Sequence, residues 1–504
     1  MNVEKLQNTF FNKKDLFHSY IKNIKENMVV DIFSIINTTL ICNPYNTSFP
    51  KKFFLQKFRK QNKIFLFIKS SFKFYIKQFY FLSSYLIAFI LFKIYYKKKI
   101  IESKNYIFID VFFLVDRISK DNKFNETYFN GLYNVLNKYG QDYVFLPRLY
   151  GINKNPFKMI NFFKIINKDK RNFLFEFELL SLSDFISILY MILVYPFKTL
   201  RLLQKNGINE DKIFNNELVN DIKTLDFNAF SRYVYGQNIA KVGTKTNRIY
   251  SWSEFQVIER SFNYAIRKNS DIKIYACQFF INNEIYFNSY IEDIDYINKT
   301  SSHEVLVNGK HFLKDTSELN YLIGISLRYK NIFSYQQALN GSNIVLLGSY
   351  IEDDTKYMLN CVKEFDKISF KNHPTVDINN IKDEIGTNIE LVEDNMYDLF
   401  KNASVVIGTA FSGTSVEAVA CGVSVIIIAS QNNLTGNPLI EHGKGKIWDI
   451  AFSKDEVNKL YHKLTEYRKN NIEEIQSIAS WYKSNFFVEP TEKNIIKAFE
   501  LDKE

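Results

Sequence analysis

Two short segments in the second half of the sequence combine residue types suited to binding a phosphate group. The first, Lys371-Asn372-His373-Pro374, includes the end of an apolar run that predicts a β-strand. A histidine can donate a hydrogen bond to a phosphate oxygen, and Pro374 biases His373 towards an extended backbone. We therefore predict that His373 acts on a phosphate, with Lys371 and Pro374 beside it. The alternative interpretation is a surface turn.

The second segment, residues 408–415, reads GTAFSGTS and joins a predicted strand to a predicted helix. Such a loop offers backbone N–H groups, hydroxyl groups and a favourable helix dipole to an anion. A glutamate one turn into the helix could hydrogen-bond a ribose hydroxyl. The alternative is that Ser412 or Thr414 only caps the helix. The candidate ligand residues are Thr409, Ser412, Gly413, Thr414, Ser415 and Glu417.

The sequence around these segments has the pattern of an α/β protein. Mostly helical sequence precedes residue 104, and after it short apolar strand candidates alternate with amphipathic helices. This alternation predicts parallel sheets covered on both faces, whose ligands bind outside the carboxyl ends of the strands. Neither GxxxxGK[ST] nor the dinucleotide-binding fingerprint occurs, which disfavours ATPases and dinucleotide-dependent enzymes.

The order of the two segments resembles the nucleotide-binding domain of GT-B glycosyltransferases, especially bacterial enzymes that build surface polysaccharides such as lipopolysaccharide or capsule. KNHP is followed about forty residues later by GTAFSGTSVEAVACGVSVI. The His-Pro pair with a downstream Ser/Thr segment is similar to the pair that binds CMP in bacterial sialyltransferases and Kdo transferases. Related motifs occur in CDP-glycerol polymerases. The resemblance extends from about Tyr321 to Ile450.

This resemblance implies an α/β fold of the GT-B type, in which two Rossmann-like domains face a cleft. An N-terminal helical, membrane-associated extension precedes them. The corresponding domain prediction has four parts. They are residues 1–103 as the extension, 104–316 as the acceptor domain, 317–475 as the nucleotide-sugar domain, and 476–504 as helices that pack back on the acceptor domain.

The resemblance also implies a metal-independent transferase that takes a sugar from a nucleotide donor. The reaction needs a group that stabilises the leaving phosphate and, in an inverting enzyme, a base that deprotonates the acceptor hydroxyl. His373 and the hydroxyl-rich loop are candidates for the first role. Glu254 is the preferred base, with Glu259 and Asp116 as weaker candidates and a solvated helix-start carboxylate as the alternative. The acidic-acidic-Gly motif of sialyltransferases is absent, which leaves the base open.

The donor that the resemblance implies is a CMP-activated acidic sugar of the Kdo or sialic-acid type. It would be a co-substrate, and no bound cofactor is implied. The acceptor would be a lipid-linked surface glycan. A UDP- or GDP-sugar as donor, and transfer of a polyol phosphate from a CDP-polyol, are the alternatives.

The charge distribution indicates a membrane-binding segment. The chain carries a net charge of +11, and thirteen basic residues but no acidic one lie between Lys51 and Lys99. Within that stretch, the uncharged helix candidate Gln78–Phe92 is too short to span a bilayer comfortably but suits an anionic leaflet. We predict an anionic membrane surface as the partner of residues 51–99. A second apolar run covers Phe185–Phe197, and a buried core helix is the alternative interpretation of both runs.

The N-terminal residues lack the pattern of a secretory signal. The four cysteines, Cys42, Cys277, Cys361 and Cys421, form no CxxC pair. We therefore predict a cytoplasmic protein with reduced cysteines, held peripherally at the inner face of the cytoplasmic membrane.

Three other functions fit parts of the sequence. Asp293-Ile294-Asp295 has the Asp-x-Asp form of a metal-dependent GT-A transferase, for which strict Mn²⁺ dependence is the test. The basic, aromatic-rich segment could bind nucleic acid, but its apolar runs suit lipid better than base stacking, so no nucleic-acid partner is predicted. A non-catalytic membrane scaffold would bind lipid and show no affinity for nucleotides.

Overall fold

The computed structural model describes residues 3–44, 48–57, 61–97, 106–150, 155, 157–242, 248–335, 341–409 and 412–501. In this part of the chain, two parallel sheets of six strands each alternate with helices, and a helical segment precedes the first strand. The predicted architecture of two Rossmann-like domains behind a helical extension is therefore confirmed. That the extension associates with a membrane stays a prediction.

The helices of the N-terminal extension within the described residues are α1 (Val3–Asn27), α2 (Ile32–Ile35), α3 (Thr38–Ile41), α4 (Phe49–Leu55) and α5 (Lys63–Tyr95). The first of them contacts both domains. Gln7 exchanges two hydrogen bonds with the backbone of Thr435 in the second domain, at 3.0 and 3.1 Å. Near the other end of α1, Lys25 pairs with Asp295 of the first domain at 3.0 Å.

The predicted membrane segment, residues 51–99, divides into parts with different surroundings. In α4, Phe53 and Phe54 are buried, and Lys52 pairs with the buried Glu217 at 2.6 Å, so this helix belongs to the protein core. The long helix α5 keeps one face exposed. Residues 58–60, 98 and 99 lie outside the described residues. A membrane contact could therefore involve α5 but not α4, which is a smaller extent than predicted.

The first domain contains a sheet with the strand order β2-β1-β3-β4-β5-β6. Its strands are β1 (Ile107–Leu114), β2 (Tyr143–Tyr150), β3 (Arg248–Trp252), β4 (Lys273–Gln278), β5 (Glu304–Val307) and β6 (Asn320–Ile323). Alternate residues of β1 face opposite cores, since Ile107 and Ile109 pack in one apolar cluster and Phe108 in another. The strand order reverses between β1 and β3, and such a switch point is where open α/β sheets bind ligands.

Helices cover both faces of this sheet. They are α6 (Val115–Asp121), α7 (Leu132–Lys138), α8 (Lys158–Lys168), α9 (Glu176–Leu179), α10 (Leu182–Thr199), α11 (Asn209–Asp221), α12 (Asn228–Lys241), α13 (Val257–Asn269) and α14 (Asp293–Ile297). A short helix, α15 (Asn331–Ser334), lies in the connection to the second domain.

The second domain has the strand order β12-β11-β10-β7-β8-β9, and its switch point lies between β7 and β10. Its strands are β7 (Asn343–Leu347), β8 (Ile368–Lys371), β9 (Ile389–Leu391), β10 (Ala403–Thr409), β11 (Ser424–Ile428) and β12 (Trp448–Ala451). Its helices are α16 (Glu352–Cys361), α17 (Met396–Lys401), α18 (Thr414–Ala420) and α19 (Lys454–Asn470).

The boundary between the domains differs from the predicted one at residue 317. Strand β6 pairs in parallel with β5, for example Val305 with Tyr321, so it belongs to the first sheet. The second sheet begins only at Asn343. An apolar run predicts a strand from its periodicity, but the periodicity does not indicate which sheet the strand joins.

The C-terminal segment contacts the first domain through both of its helices, since Phe486 at the end of the first one stacks on His311 with ring centres 4.1 Å apart. Helix α20 (Ile472–Phe486) packs on α18, whereas α21 (Glu492–Ala498) packs on α7. Just after α21, the backbone oxygen of Phe499 accepts a hydrogen bond from the hydroxyl of Tyr250 at 2.8 Å. Contacts with the first domain thus occur in both helices of the predicted segment, residues 476–504.

Candidate functional site

The switch point of the second sheet brings the ends of β7, β8 and β10 together. The strands are parallel neighbours in the order β10-β7-β8, so their carboxyl ends lie at one edge of the sheet. His373 follows β8, Ser412 follows β10, and Gly348 follows β7 between them. With adjacent strands about 4.8 Å apart, β8 and β10 are roughly 10 Å apart. Both predicted segments therefore lie at the same edge, although residues 410 and 411 are outside the described part.

His373 is held by the turn that follows it. Its Nδ1 accepts a hydrogen bond from the backbone N–H of Thr375 at 3.3 Å and lies 2.7 Å from the hydroxyl oxygen of that residue. Because Nδ1 is an acceptor, the neutral ring carries its proton on Nε2, which has no acceptor among the described residues. Burial lowers the pKa of His373, which favours this neutral form. Nε2–H is thus available to a ligand oxygen.

Gly348 is a residue of this site that the sequence did not indicate. A Cβ atom at this position would lie 3.2 Å from the backbone nitrogen of His373 and 3.3 Å from the ring of Phe370. A larger residue would therefore press on the histidine turn. The glycine lets the ends of β7 and β8 approach each other closely.

The hydroxyl-rich loop leads into α18, whose N-cap residue is Gly413. No described side chain caps this helix, so the capping role left open for Ser412 and Thr414 is not observed. Thr409 and Ser415 are buried, whereas Ser412, Gly413 and Thr414 are partly exposed. Ser412 and Thr414 are therefore the hydroxyl groups of the loop that a ligand can reach.

Glu417 lies on the first turn of α18, as predicted from its spacing. The hydroxyl of Tyr397 donates a hydrogen bond to its Oε2 at 2.5 Å. Burial raises the pKa of Glu417 to about 7, although this hydrogen bond and the charge of Arg328 act in the opposite direction. Near neutral pH its carboxyl group can therefore either donate or accept a hydrogen bond.

Lys371 and Pro374 have other roles than the predicted one. The ammonium group of Lys371 donates to the backbone oxygens of Glu393 and Asp394 at 3.0 and 2.7 Å. These two residues follow β9, which lies on the side of β8 away from β7. Lys371 therefore fastens the loop after β9 instead of reaching the switch point. Pro374 is exposed and shapes the turn.

A cavity of about 300 Å³ lies at the switch point of the first sheet. Glu254, the preferred base, lines this cavity two residues beyond β3, and its Oε2 accepts a hydrogen bond from Gln256 at 2.7 Å. Asp116, a weaker candidate, is exposed and pairs with Lys158 at 3.0 Å. The cavity is lined by Phe112, Leu114, Tyr128, Arg148, Leu149, Tyr150, Glu176, Asp226, Asn228, Arg232, Glu254, Gln256 and Ile258.

A buried network of charges supports this cavity. Asp110 accepts hydrogen bonds from Arg148 and Arg232, each at 3.0 Å. Arg148 also pairs with Glu259 at 2.7 Å. Because Glu259 compensates a buried arginine, its role is to stabilise the fold, and it is not the base.

Glu176 and Arg232 are among the charged residues of the cavity that the sequence did not indicate. Glu176 is 4% exposed, and burial raises its pKa to about 7. The guanidinium of Arg232 stacks on Phe262 at 3.9 Å, and its Nε and Nη1 atoms have no hydrogen-bond partner among the described residues. Both residues lie on helices remote from any motif, so only the fold shows that they share a cavity suited to a polar ligand.

Arg328 lies in the connection between the domains and contacts the wall of the cavity. Its guanidinium carbon is 5.2 Å from the ring centre of Trp252 and 5.9 Å from that of Tyr128. Burial raises the pKa of Glu417 in the second domain, and the charge of Arg328 acts in the opposite direction. The side chain is exposed and has no carboxylate partner within 4 Å among the described residues. Arg328 is therefore a cation in the cleft that an anion could neutralise.

The loop after β4 also joins the two sites. Its Ile281 packs against Gly413, where a Cβ atom would lie only 2.9 Å away. Burial raises the pKa of Tyr286 in this loop to about 12, and the charge of Glu254 acts in the same direction. Tyr350 acts to lower the pKa of Tyr286, and the ring centre of Tyr350 is 6.0 Å from that of His373. The loop after β4 therefore lies against the second domain at Gly413.

The Asp-x-Asp triplet of the GT-A alternative is used for structure. Asp293 accepts hydrogen bonds from the backbone N–H groups of residues 317–319 at 2.8 to 3.0 Å. Asp295 is buried and pairs with Lys25 and Arg260 at 3.0 and 2.9 Å. Both carboxylates are therefore already engaged within the protein, Asp293 by hydrogen bonds and Asp295 by ion pairs, and the arrangement does not support a metal site.

Neither a protein-family model nor a curated protein sequence matches this chain. Among solved structures, the UDP-GlcNAc 2-epimerase of Methanocaldococcus jannaschii is 11% identical with a TM-score of 0.40, over 78% of this chain and 99% of that one. MurG of Acinetobacter baumannii is 10% identical with a TM-score of 0.39, over 74% and 95%. CalG4, the calicheamicin glycosyltransferase, is 7% identical with a TM-score of 0.43, over 79% and 98%. Similarities this distant do not bear on function.

Proposed function

We propose that this protein is a glycosyltransferase that moves a sugar from a nucleotide donor to an acceptor hydroxyl. The observation that carries the proposal is the contact between the loop after β4 and the hydroxyl-rich loop of the second domain, where Ile281 packs on Gly413. Arg328, in the connection between the domains, also contacts Trp252 at the end of β3. One switch point has phosphate-binding chemistry, and the other has a cavity with a carboxylate. Transfer between two bound substrates requires such a pair of sites.

The donor would bind at the second domain. The Nε2–H of His373 and the hydroxyl groups of Ser412 and Thr414 would contact its phosphate, and Glu417 would hydrogen-bond the ribose. Negative charge grows on the leaving phosphate as its bond to the sugar carbon breaks, so donors aimed at that oxygen stabilise the transition state. Arg328 adds a positive charge in the cleft, which supports a mechanism that needs no metal ion.

The acceptor would bind in the cavity of the first domain. Its hydroxyl oxygen forms the new bond to the sugar carbon, and the hydroxyl proton passes to Glu254. Arg148 and Arg232 hold the cavity wall through Asp110, so they position the acceptor site without taking part in the proton transfer.

The finer proposal is a CMP-activated acidic sugar as donor and a lipid-linked surface glycan as acceptor, at the cytoplasmic face of the membrane. The order of the His-Pro and Ser/Thr segments supports the CMP assignment. The exposed apolar face of α5 supports the membrane location. A donor with UDP or GDP, or a CDP-polyol, is the second candidate, since the same phosphate-binding groups would serve it.

Thermal-shift measurements with CMP, CDP, UDP and GDP, each with and without EDTA, test this proposal. A nucleotide that binds only the folded state raises the free energy of unfolding, and with it Tm. At a concentration of a hundred times its Kd the gain is roughly 2.7 kcal/mol. We expect CMP to stabilise the protein, with or without EDTA. Stabilisation by UDP or GDP but not CMP would contradict the donor assignment, and stabilisation by none would favour a membrane scaffold.

A further inference from the structure

Helices α5 and α10 lie side by side over much of their length, although they are far apart in the sequence. Phe67 contacts Phe197 with ring centres 5.8 Å apart, and near the other ends of the two helices Phe89 contacts Phe185 at 5.2 Å. These contacts make the pair antiparallel. The two apolar runs that the sequence indicated separately therefore form one two-helix layer.

The outer face of this layer is apolar along both helices. On α10 the exposed apolar residues recur every three or four positions, as expected for one face of a helix. Leu182, Ile186 and Phe197 are 68%, 68% and 61% exposed. The exposed apolar residues are Ile64, Phe65, Ile68, Phe72, Ile76, Phe79, Tyr80, Leu86, Ile87, Ile90 and Ile94 on α5, and Leu182, Ile186, Tyr190, Leu193 and Phe197 on α10. A patch of this extent indicates an interaction surface.

The inner face of the layer belongs to the protein core. Phe74 and Ala88 of α5 and Ile188 and Ile192 of α10 are each 0% exposed. Both helices are long and apolar enough to cross a membrane by length and composition. Crossing a bilayer would strip these inner residues from the first-domain core. At about 1.5 Å per residue, α5 is also about 50 Å long, well beyond a hydrocarbon core of about 30 Å.

Positive charges accompany the apolar face. Lys63, Lys69, Lys73 and Lys93 on α5 are all exposed, and α5 contains no acidic residue. Lysines beside an apolar helix face attract anionic headgroups while the apolar side chains enter the leaflet. The charge pattern therefore selects an anionic bilayer over a neutral apolar partner.

We propose that α5 and α10 together form a membrane-docking surface that lies in the plane of an anionic leaflet without crossing it. The surface consists of the outward residues of both helices, so α10 supplies the second helix, and α4 takes no part. This inference stands on the two-helix layer alone and would hold even if the protein did not transfer sugar.

The docking surface also lies against the wall of the first-domain cavity. Lys77 and Gln78 of α5 donate hydrogen bonds to the backbone oxygen of Leu225 at 3.1 and 2.9 Å. The next residue, Asp226, lines the cavity. The helix that meets the lipid is therefore in direct contact with a wall of the proposed acceptor site.

Vesicle flotation tests the proposal, with the full-length protein and vesicles of phosphatidylcholine alone or mixed with phosphatidylglycerol. We expect binding to the anionic vesicles and much weaker binding to the neutral ones. Ile186→Glu on α10 and Phe72→Glu on α5 should each lower partitioning by about tenfold, because each places a charge in the leaflet. Ile297→Glu is the matched control, because Ile297 is 61% exposed on α14, outside the docking surface. This variant should bind vesicles as the parent does.

Replacement of Lys69 and Lys73 by glutamine should reduce binding to anionic vesicles only. Equal binding of the parent to both vesicle types, no binding to either, or unchanged binding of Ile186→Glu would each overturn the proposal. Light scattering tests whether a second copy of the chain occupies the surface instead. A parent protein that is a dimer and does not bind vesicles, with a monomeric Ile186→Glu variant, would assign the surface to a second copy. The nucleotide-induced Tm shift, measured in solution on the same variants, reports the proposed function separately.

Discussion

Arg328 stacks on Trp252 with its guanidinium carbon 5.2 Å from the ring centre, so the connection between the domains contacts the strand end that precedes Glu254. Burial raises the pKa of Glu417, and the charge of the same arginine acts against that effect. One exposed cation thus adjoins the proposed acceptor site and the proposed donor site.

Arg328→Gln should lower kcat by about tenfold to a hundredfold, because the leaving phosphate would lose a positive charge in the transition state. Steady-state kinetics with the donor identified by thermal shift would measure this, and Arg328→Lys should restore part of the rate. The side chain is exposed, so Tm should change little. If Arg328→Lys lost as much activity as Arg328→Gln and both variants had a lower Tm, the role of Arg328 would be structural instead.

His373→Ala should reduce kcat by about a hundredfold and weaken the nucleotide-induced Tm shift, because the Nε2–H donor is removed from the phosphate site. His462→Ala is the control, since His462 is exposed on α19. Circular dichroism should show the same secondary structure for both variants. Full activity of His373→Ala would contradict the role assigned to this residue.

Glu254→Gln should lower kcat by about a hundredfold to ten-thousandfold while leaving the nucleotide-induced Tm shift unchanged, because only the acceptor proton loses its base. Glu259→Gln should behave differently. It leaves the buried Arg148 short of a charge partner, so it should cost about 3 kcal/mol of stability. Normal turnover by Glu254→Gln would make Glu176, another carboxyl group that lines the cavity, the next candidate for the base.

Glu417→Gln should change how stability depends on pH. The folded state raises the pKa of Glu417 from 4.5 to about 7, so between these values the folded protein holds a proton that the unfolded chain releases. The free energy of unfolding therefore falls as pH rises through this window. Glutamine removes this loss, so the variant should gain on the order of 2 kcal/mol relative to the parent between pH 4 and pH 8. Plots of Tm against pH that stay parallel for the parent and Glu417→Gln across that range would rule out this contribution of Glu417.

Much of the site on the second domain could be predicted because it follows strands. His373 and Ser412 stand directly after apolar runs, and parallel strands bring their carboxyl ends to one edge whatever their order. The predicted role of Lys371 at the phosphate site was wrong for a related reason. Its position after the strand was predictable, but the choice between β7 and β9 as the neighbour that its side chain reaches depends on the fold.

The first-domain cavity could be predicted only in part. Glu254 follows a recognisable strand, whereas Glu176 and Arg232 lie on helices whose contact with the sheet is set by tertiary packing. Arg328 gave no signal because a connection between domains has no periodicity. Strand β6 was assigned to the wrong domain for a different reason. Its periodicity predicts a strand, but the strand with which it pairs lies elsewhere in the sequence.

The first helix has a consequence for how this molecule can move. Two connected domains can separate only if the other contacts between them break. Helix α1 is attached to the second domain through Gln7 and to the first through Lys25. Any wide opening must break one of these attachments, and the pair at Lys25 is the more deeply buried. Helix α1 is therefore a link between the domains in addition to the connection that contains Arg328 and to the C-terminal helices.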